Sequence, residues 1–322
     1  MIRQFRFNGS LLECCSPADA KPTSAPIVWI DLLNPTSAEI EEVDKNFAID
    51  LPTLEEMREI EISSRLYEEG SGYYMTIIYV ADALGENPET SPLTFVLKDG
   101  ILVTVRYRDM RIVEHFINKT ETRGLIGSQS NTGLMLTLLE SVVDLCADAL
   151  EKNHLDIETE SRKVFDLSLD KKDYQQALKH IARVNELNSK MRESLVSQSR
   201  LHIFMSHTLK TLNVHEDSVG KLHTLTADIR SLLDDAAFTA GKASFLLDAT
   251  LGMVSLEQNA IIKIFSVAAV IFLPPTLVAS IYGMNFKHMP ELDWAVGYPV
   301  AIILMIASAL LPYYYFKHRR WL

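Results

Sequence analysis

The sequence predicts an α+β fold. It reads as an N-terminal α/β domain, a helical hairpin, and a very long stalk helix continuing into the first of two C-terminal membrane-spanning helices. Three observations carry that prediction. Residues 1–125 hold short runs of strand-like alternation broken by helix-start signals; from Asn131 to about Met205 apolar residues recur at helical spacing; and Ile264–Tyr282, at the end of a pattern that is already helical, contains no charged residue. About 20 apolar residues are what a helix needs to cross a bilayer core. Of the 322 residues, the expected division is 1–125 α/β domain, 126–212 hairpin, 213–263 stalk and 264–322 membrane part with a basic tail, with spans at about 264–282 and 296–316.

Within the first domain, Ile2–Phe7 alternates as a strand does, and Pro26–Leu32 (PIVWIDL) reads as a buried strand ended by Asn34-Pro35-Thr36. Thr36 with Glu39, and Thr53 with Glu56, have capping-box spacing, in which each side chain bonds the other residue's backbone N–H. The first box opens a helix to about Phe47. Gly72–Ala83 is β-rich, and Pro92–Lys98 and Ile101–Tyr107 flank Asp99-Gly100, a pair that accepts the positive φ of a tight hairpin. Antiparallel strands with a few helices are expected. The domain has no nucleophile elbow, phosphate loop or zinc-ligand spacing, so an enzyme is not expected.

Leu134, Leu138, Val142, Leu145 and Ala149 form one apolar stripe, followed by a charge-dense stretch from Glu151 to Lys163 that reads as solvated surface. Asp166–Asp173 is the expected turn into a second helix running through Leu187 and Leu195, antiparallel to the first. The pattern pauses at Asn213–Asp217 and resumes near Ser218. From there to Ile281 are 64 residues, about 96 Å of helix at 1.5 Å per residue. Pro274 and Pro275 remove two backbone donors, free the carbonyls of Val270 and Ile271, and read as a passive kink.

The formal charge of −11 is unevenly placed: residues 264–322 carry +2, leaving −13 on the remainder. An acidic body excludes nucleic acid, whose phosphates demand clustered Lys and Arg, and suits gathering cations. Cys14, Cys15 and Cys146 show no CxxC spacing, so a reducing compartment is expected. The N-terminus lacks a signal-peptide apolar core. Lys317-His318-Arg319-Arg320-Trp321, closing the second span, sets that end in the cytoplasm. Two crossings then put both termini there and the short loop Lys287–Asp293 outside. His202, His207, His215 and His223, at spacings of five and eight, do not share one helix face as a zinc site requires.

The long helix carries a second pattern. Asp248, Gly252, Ser255, Asn259, Ile262, Ser266, Ala269, Leu273, Thr276 and Ser280 recur at alternating steps of four and three, the 3.5-residue seam of a helix packing on copies of itself. Its flanks (Ile261, Phe265, Val267, Ile271, Phe272, Val278) are apolar. Polar groups in a membrane turn toward a bundle interior or a water-filled cavity. Two readings stay open: the hydroxyls of Ser266, Thr276 and Ser280 bond their own backbone, or several copies line a wet path. Continuity of the stripe with Asn259 and Asp248, outside the apolar run, favours the path.

After the stripe comes Gly283-Met284-Asn285, with Pro274-Pro275-Thr276 upstream, Met289-Pro290-Glu291-Leu292 downstream, and a basic tail from Phe316 to Leu322. This arrangement, over about the last seventy residues, resembles the CorA divalent-cation channels. The resemblance implies a homopentamer integral to the bacterial inner membrane, passing Mg²⁺, with Co²⁺ and Ni²⁺ as surrogates, inward down its electrochemical gradient. It implies a selectivity filter of Gly283, Met284 and Asn285, polar pore rings at Thr276, Asn259 and Asp248, and an apolar constriction at Ile262, Phe265 and Leu273. Ser280 shares the stripe, and Glu291 and Asp293 form an acidic outer loop that meets cations first. Mg²⁺ holds its water tightly, and a symmetric assembly turns one Asn oxygen into a ring that can bind the hydrated ion.

The resemblance also implies gating by cytosolic Mg²⁺ at carboxylates between neighbouring domains. Glu216, Asp217, Asp228, Asp82 and Glu86 are the candidates; the family's sensing position falls near Thr224, which cannot play that part. The expected partners are further copies of the chain, membrane lipid and the ions, without an organic cofactor. Two other readings stand beside this one: a zinc transporter similar to the ZntB branch, and a membrane-anchored sensor or scaffold. An anchor needs neither the polar stripe nor Asn285.

Overall fold

In the computed structural model, residues 16–25, 86, 125–128, 167–172, 212–215, 286–288 and 320–322 lie outside the described set. The described strands are β1 (Ile2–Asn8), β2 (Leu11–Cys15), β3 (Ile27–Leu33), β4 (Leu66–Glu69), β5 (Gly72–Ala81), β6 (Glu89–Lys98) and β7 (Ile101–Arg106), in one sheet of order β2-β1-β3-β7-β6-β5-β4. The expectation of antiparallel strands needs one correction. β3 and β7 run parallel, Trp29 opposite Leu102, while every other neighbouring pair is antiparallel. These two strands are joined by a crossover of helices and hairpins, as parallel pairing requires, and nothing in either strand's own pattern sets its direction.

Local signals explain the elements around the sheet. α1 (Ser37–Phe47) and α2 (Leu54–Arg58) each start at a capping box: Thr36 N–H donates to Glu39 and Thr53 N–H to Glu56, both at 2.8 Å, and each threonine hydroxyl accepts from the glutamate's N–H. Asp99 (φ 48°) and Gly100 (φ 83°) both take the left-handed conformation that a two-residue hairpin needs. Successive strand residues face opposite sides, and so two cores form. Trp29, Phe95 and Leu102 face one way, into a core completed by Phe116, Leu138 and Leu201. Ile30, Val96 and Val103 face the other, with Val43 of α1 and Met57 of α2. Besides the short α3 (Ile62–Arg65), β2, β4 and α4 (Arg111–Arg123) are elements that the sequence pattern did not announce.

A buried charge network ties β1, β3, β7 and α4 together. The Asp31 carboxylate accepts from Arg106 (2.9 Å), Arg3 (2.7 Å) and the Thr104 hydroxyl (2.8 Å), and Arg3 also donates to Glu114 (2.7 and 2.8 Å). Burial pushes the Asp31 carboxyl up, but Arg106 and then Arg3 outweigh it and hold the group below the usual carboxylate range.

α5 (Asn131–Phe165) and α6 (Tyr174–Thr211) are antiparallel: Leu138 shares a core with Leu201, and at the other end Val164 shares one with Ala177. Ser197 of α6 joins this hairpin to the sheet. Its hydroxyl accepts the Ile78 N–H at 2.9 Å, while its one proton has the Ser194 carbonyl of α6 (2.8 Å) as its nearer acceptor and the Ile78 carbonyl (3.2 Å) as the farther; Ile78 lies past the end of β4 and opposite Pro92 of β6.

α7 (Glu216–Tyr282) seats Leu222, Leu225, Ile229, Ala236, Ala243 and Leu246 in the cores it shares with α5 and α6. Asn188 of α6 donates to the Ala236 carbonyl (2.8 Å), and Lys221 and Lys242 pair with Glu140 (2.6 Å) and Glu158 (3.1 Å) of α5. Glu158, inside the stretch read as solvated surface, is thus a clasp for α7. The chain separates into two compact units, Met1–Leu247 and Asp248–Leu322, and α7 contributes to both. The second unit holds the rest of α7, a 3₁₀ turn (Pro290–Asp293) and α8 (Gly297–His318). The helix continues through Pro274 and Pro275 without a break in its assignment.

Candidate functional site

Within the second unit, the residues of the polar stripe share one exposed side of α7. Asp248, Asn259, Ile262, Ser266, Leu273, Thr276 and Ser280 are all exposed, while Lys263, Val267, Ile271, Pro274 and Val278 are partly or fully covered. At 100° per residue the two sets are centred about 120° apart around the helix. Among the described residues the buried positions of this unit are Thr250 and Val267 on α7 and Ala301 on α8. Phe265, expected at a constriction, is 70 % exposed on the edge of the stripe. Of the three hydroxyls in the local reading, Thr276 donates to Phe272 O (2.8 Å); Ser255, outside that set, donates to Leu251 O (3.0 Å).

Gly283-Met284-Asn285 follows directly on the last residue of α7. Gly283 N–H still reaches Ala279 O (2.9 Å) and Met284 N–H reaches Ile281 O (3.2 Å), so the turn is wound onto the helix end. A Cβ at Gly283 would sit 3.2 Å from Ala279 O, tighter than ordinary contact, which is the close approach that glycine allows. Met284 and Asn285 are exposed. Asp293 closes the 3₁₀ turn and is exposed; the side chain of Glu291 lies outside the described set.

At the far end of α8, Lys317 and His318 occupy the last turn, where the helix dipole favours cations. The Lys317 ammonium lies 5.9 Å from the Tyr313 ring centre and the Arg319 guanidinium 5.8 Å from that of Tyr315. Aromatic rings under basic groups are the chemistry of a membrane–water boundary.

Among the described residues no three His, Cys, Asp or Glu side chains gather as metal ligands. Asp82, at φ 52°, pairs with Arg111 (3.6 Å). It lines a cavity of about 540 Å³ whose other rim charges include a second pair, Arg108 with Glu89 at 2.6 Å. Glu86 lies outside the described residues, as do the side chains of Glu216 and Asp217. Asp228 is exposed on α7, and its charge is felt on α5. Burial first, then Glu140, Asp148 and Asp228, push the Asp144 carboxyl up. Glu140, Asp144 and Asp148, spaced by four, form an acidic row along α5.

Of the histidines set aside as zinc ligands, His202 is fully buried with both ring nitrogens unpartnered, and burial pulls its pKa down to about 4. His215 lies outside the described residues.

Two helices long and apolar enough to cross a membrane, joined by a short connection and preceded by a mixed α/β domain with a helical hairpin, are the element order of a two-span membrane protein. A family model described as CorA-like Mg²⁺ transporter protein matches residues 24–318. The chain is 33 % identical to the magnesium transport protein CorA of Pectobacterium atrosepticum over 322 residues, the whole of both chains. It is 36 % identical to that of Sodalis glossinidius over 306 residues, 95 % of each. The complete structure of the CorA magnesium transporter from Methanocaldococcus jannaschii superposes with a TM-score of 0.79 at 18 % identity, covering 100 % of this chain and 99 % of that one. The ZntB cytoplasmic domain from Vibrio parahaemolyticus is more distant, with a TM-score of 0.55 at 12 % identity over 79 % of this chain and 97 % of that one. The chain belongs to the CorA family.

Proposed function

We propose that this protein is a homopentameric channel that carries Mg²⁺ into the cell down its electrochemical gradient, with Co²⁺ and Ni²⁺ as weaker-selected passengers. The observation that carries the reading is the exposed stripe of α7 running out into Gly283-Met284-Asn285, in a chain whose full-length relatives are magnesium transport proteins. Five copies with the stripe turned inward repeat the Asn285 side-chain oxygen as a ring, which binds an ion through its intact water shell. Thr276, Ser280, Asn259 and Asp248 continue the wet wall, and Ile262, Phe265 and Leu273 form apolar rings that close the path by dewetting. An inside-negative potential assists entry by about 2.3 kcal/mol per charge per 100 mV.

In this reading both termini face the cytoplasm of a bacterial inner membrane, Glu291 and Asp293 face outward, and Lys317 and Arg319 hold the inner boundary. Cytosolic Mg²⁺ closes the channel by offsetting repulsion between acidic neighbours, with Asp82, Glu86, Glu216, Asp217 and Asp228 as the carboxylates that sense it.

The test is Mg²⁺ entry into liposomes containing the purified protein, followed by an internal Mg²⁺ dye beside Asn285→Ala. Flux that vanishes in the variant while its elution volume is unchanged supports the filter. Equal flux in both keeps a channel and removes Asn285 from it. An assembled wild type that passes no Mg²⁺ under an inside-negative potential, but does pass Zn²⁺, turns the assignment to the zinc branch. No flux of either ion leaves the membrane anchor.

A further inference from the structure

The cavity beside Asp82 has a body that the channel reading does not use. Its volume of about 540 Å³ falls within the range of small-molecule sites, about 300–1,000 Å³. Its floor is apolar and buried: Tyr79 of β5 is 1 % exposed and Met110, at the head of α4, 3 %. Ile112 of α4 and Leu145 of α5 add apolar wall.

Hydrogen bonds hold the walls in place. The Tyr79 hydroxyl donates to Arg108 O at 3.0 Å, Lys152 of α5 donates to Leu84 O at 2.9 Å, and Gly85 N–H donates to Asp82 O at 2.9 Å. A Cβ at Gly85 would overlap the Asp82 carboxylate, so only glycine closes that turn. A hollow that already stands costs its ligand little ordering.

The charges around it are unequally engaged. Asp109 is drawn to buried Arg106 (3.3 Å), and Arg108 grips Glu89 at 2.6 Å. Arg111 is held loosely: its side chain is 93 % exposed and its guanidinium stands 3.6 Å from Asp82, too far for a hydrogen bond. His115, one turn further along α4, lines the same cavity. Arg111 is also the first residue of α4, where no side chain caps the helix and Val113 and Glu114 N–H turn back to Met110 O; such an end adds to the pull on an anion. A planar fork of donors at the edge of an apolar hollow suits a molecule with an oxyanion at one end and an apolar body at the other.

We propose that this cavity binds a small organic phosphate of mononucleotide size, with its phosphate on Arg111 and its body against Met110, Ile112 and Leu145. Binding draws Arg111 away from Asp82. A nucleoside lacks the head and inorganic phosphate lacks the body, so neither fills the site. The proposal goes beyond the channel reading and does not depend on it.

The experiment is isothermal titration calorimetry on the full-length protein in detergent, without divalent cations, using adenosine monophosphate, ribose phosphate, adenosine and inorganic phosphate as probes. Saturable binding of a phosphate ester is expected, with adenosine and inorganic phosphate weaker by about tenfold or more. Arg111→Gln removes a charge-assisted hydrogen bond and is expected to weaken the ester by about ten- to hundredfold. Asp82→Asn removes the competing carboxylate, keeps a side chain that accepts a positive φ, and is expected to tighten it. Both positions are exposed, so neither change removes core packing. Binding of neither ester, adenosine bound as tightly as its phosphate, or an affinity that Arg111→Gln leaves unchanged overturns the proposal.

Discussion

Arg106 donates to Asp31 at 2.9 Å with neither side chain exposed to solvent. The pair crosses the one parallel joint of the sheet, from β7 to β3. Removing one partner strands a buried charge, so Asp31→Ala is expected to lower stability by about 3–5 kcal/mol. Replacing both as Asp31→Leu with Arg106→Met should cost clearly less than the sum of the single changes. Thermal unfolding followed by near-ultraviolet circular dichroism decides; additive losses would mean that the pair is not the binding element. Because the folded Asp31 pKa is lowered, its contribution is fully present above the ordinary carboxylate pKa of about 4 and fades as pH falls below it. The Asp31 term should be flat from pH 7 to 5 and fall away only in stronger acid.

The Ser197 hydroxyl accepts the Ile78 N–H at 2.9 Å. Ser197→Ala leaves that buried N–H without its partner, at about 1–3 kcal/mol before any water enters. Hydrogen exchange at the Ile78 amide should accelerate more than at Tyr74, on the same strand.

His202 gives a pH effect in another window. Its folded pKa, about 4, lies below the ordinary value of 6.5, so the unfolded chain takes up a proton that the folded chain refuses. Stability is unaffected above about pH 6.5 and is lost at about 1.4 kcal/mol per pH unit from there down to about 4. His202→Leu, which removes two unpartnered buried nitrogens, should flatten that slope and be neutral or stabilising at pH 7. An unchanged slope would place the titration on another group.

At the outer end of α7, Gly283→Ala forces a Cβ to within 3.2 Å of Ala279 O. The contact is relieved only if the turn shifts by a few tenths of an ångström at the filter, and flux should fall in a protein that still assembles. Thr276→Val separates the two readings of the stripe. Its hydroxyl already bonds Phe272 O, so a purely local role predicts unchanged flux with slightly altered stability. A wet wall predicts reduced flux, which is the expected outcome.

Much of the fold was legible where one short segment carries its own cause. The boxes at Thr36 and Thr53, the Asp99-Gly100 hairpin and the apolar run after Ile264 each specify local structure without help. β4 was not legible, because four edge residues carry too little pattern. α4 was not, because Met110 supplies no side-chain cap. The parallel direction of β3 and β7 is a property of two distant strands together, and no window on either contains it. The stripe on α7 was readable because one helix holds all of it.

The parallel joint also sets an order for synthesis. β1, β2 and β3 can pair as soon as they leave the ribosome, and β5 can pair with β6 much later, but the two groups have no shared edge until Ile101–Arg106 emerges between them. Until then the nascent chain displays β3 and β6 as unpaired edges, the kind of surface on which chains aggregate. Both edges are closed by the same six residues, more than 150 residues before Ile264 begins the first span. The sheet is therefore complete, and its most adhesive surfaces hidden, before any part of this protein has a reason to meet a bilayer.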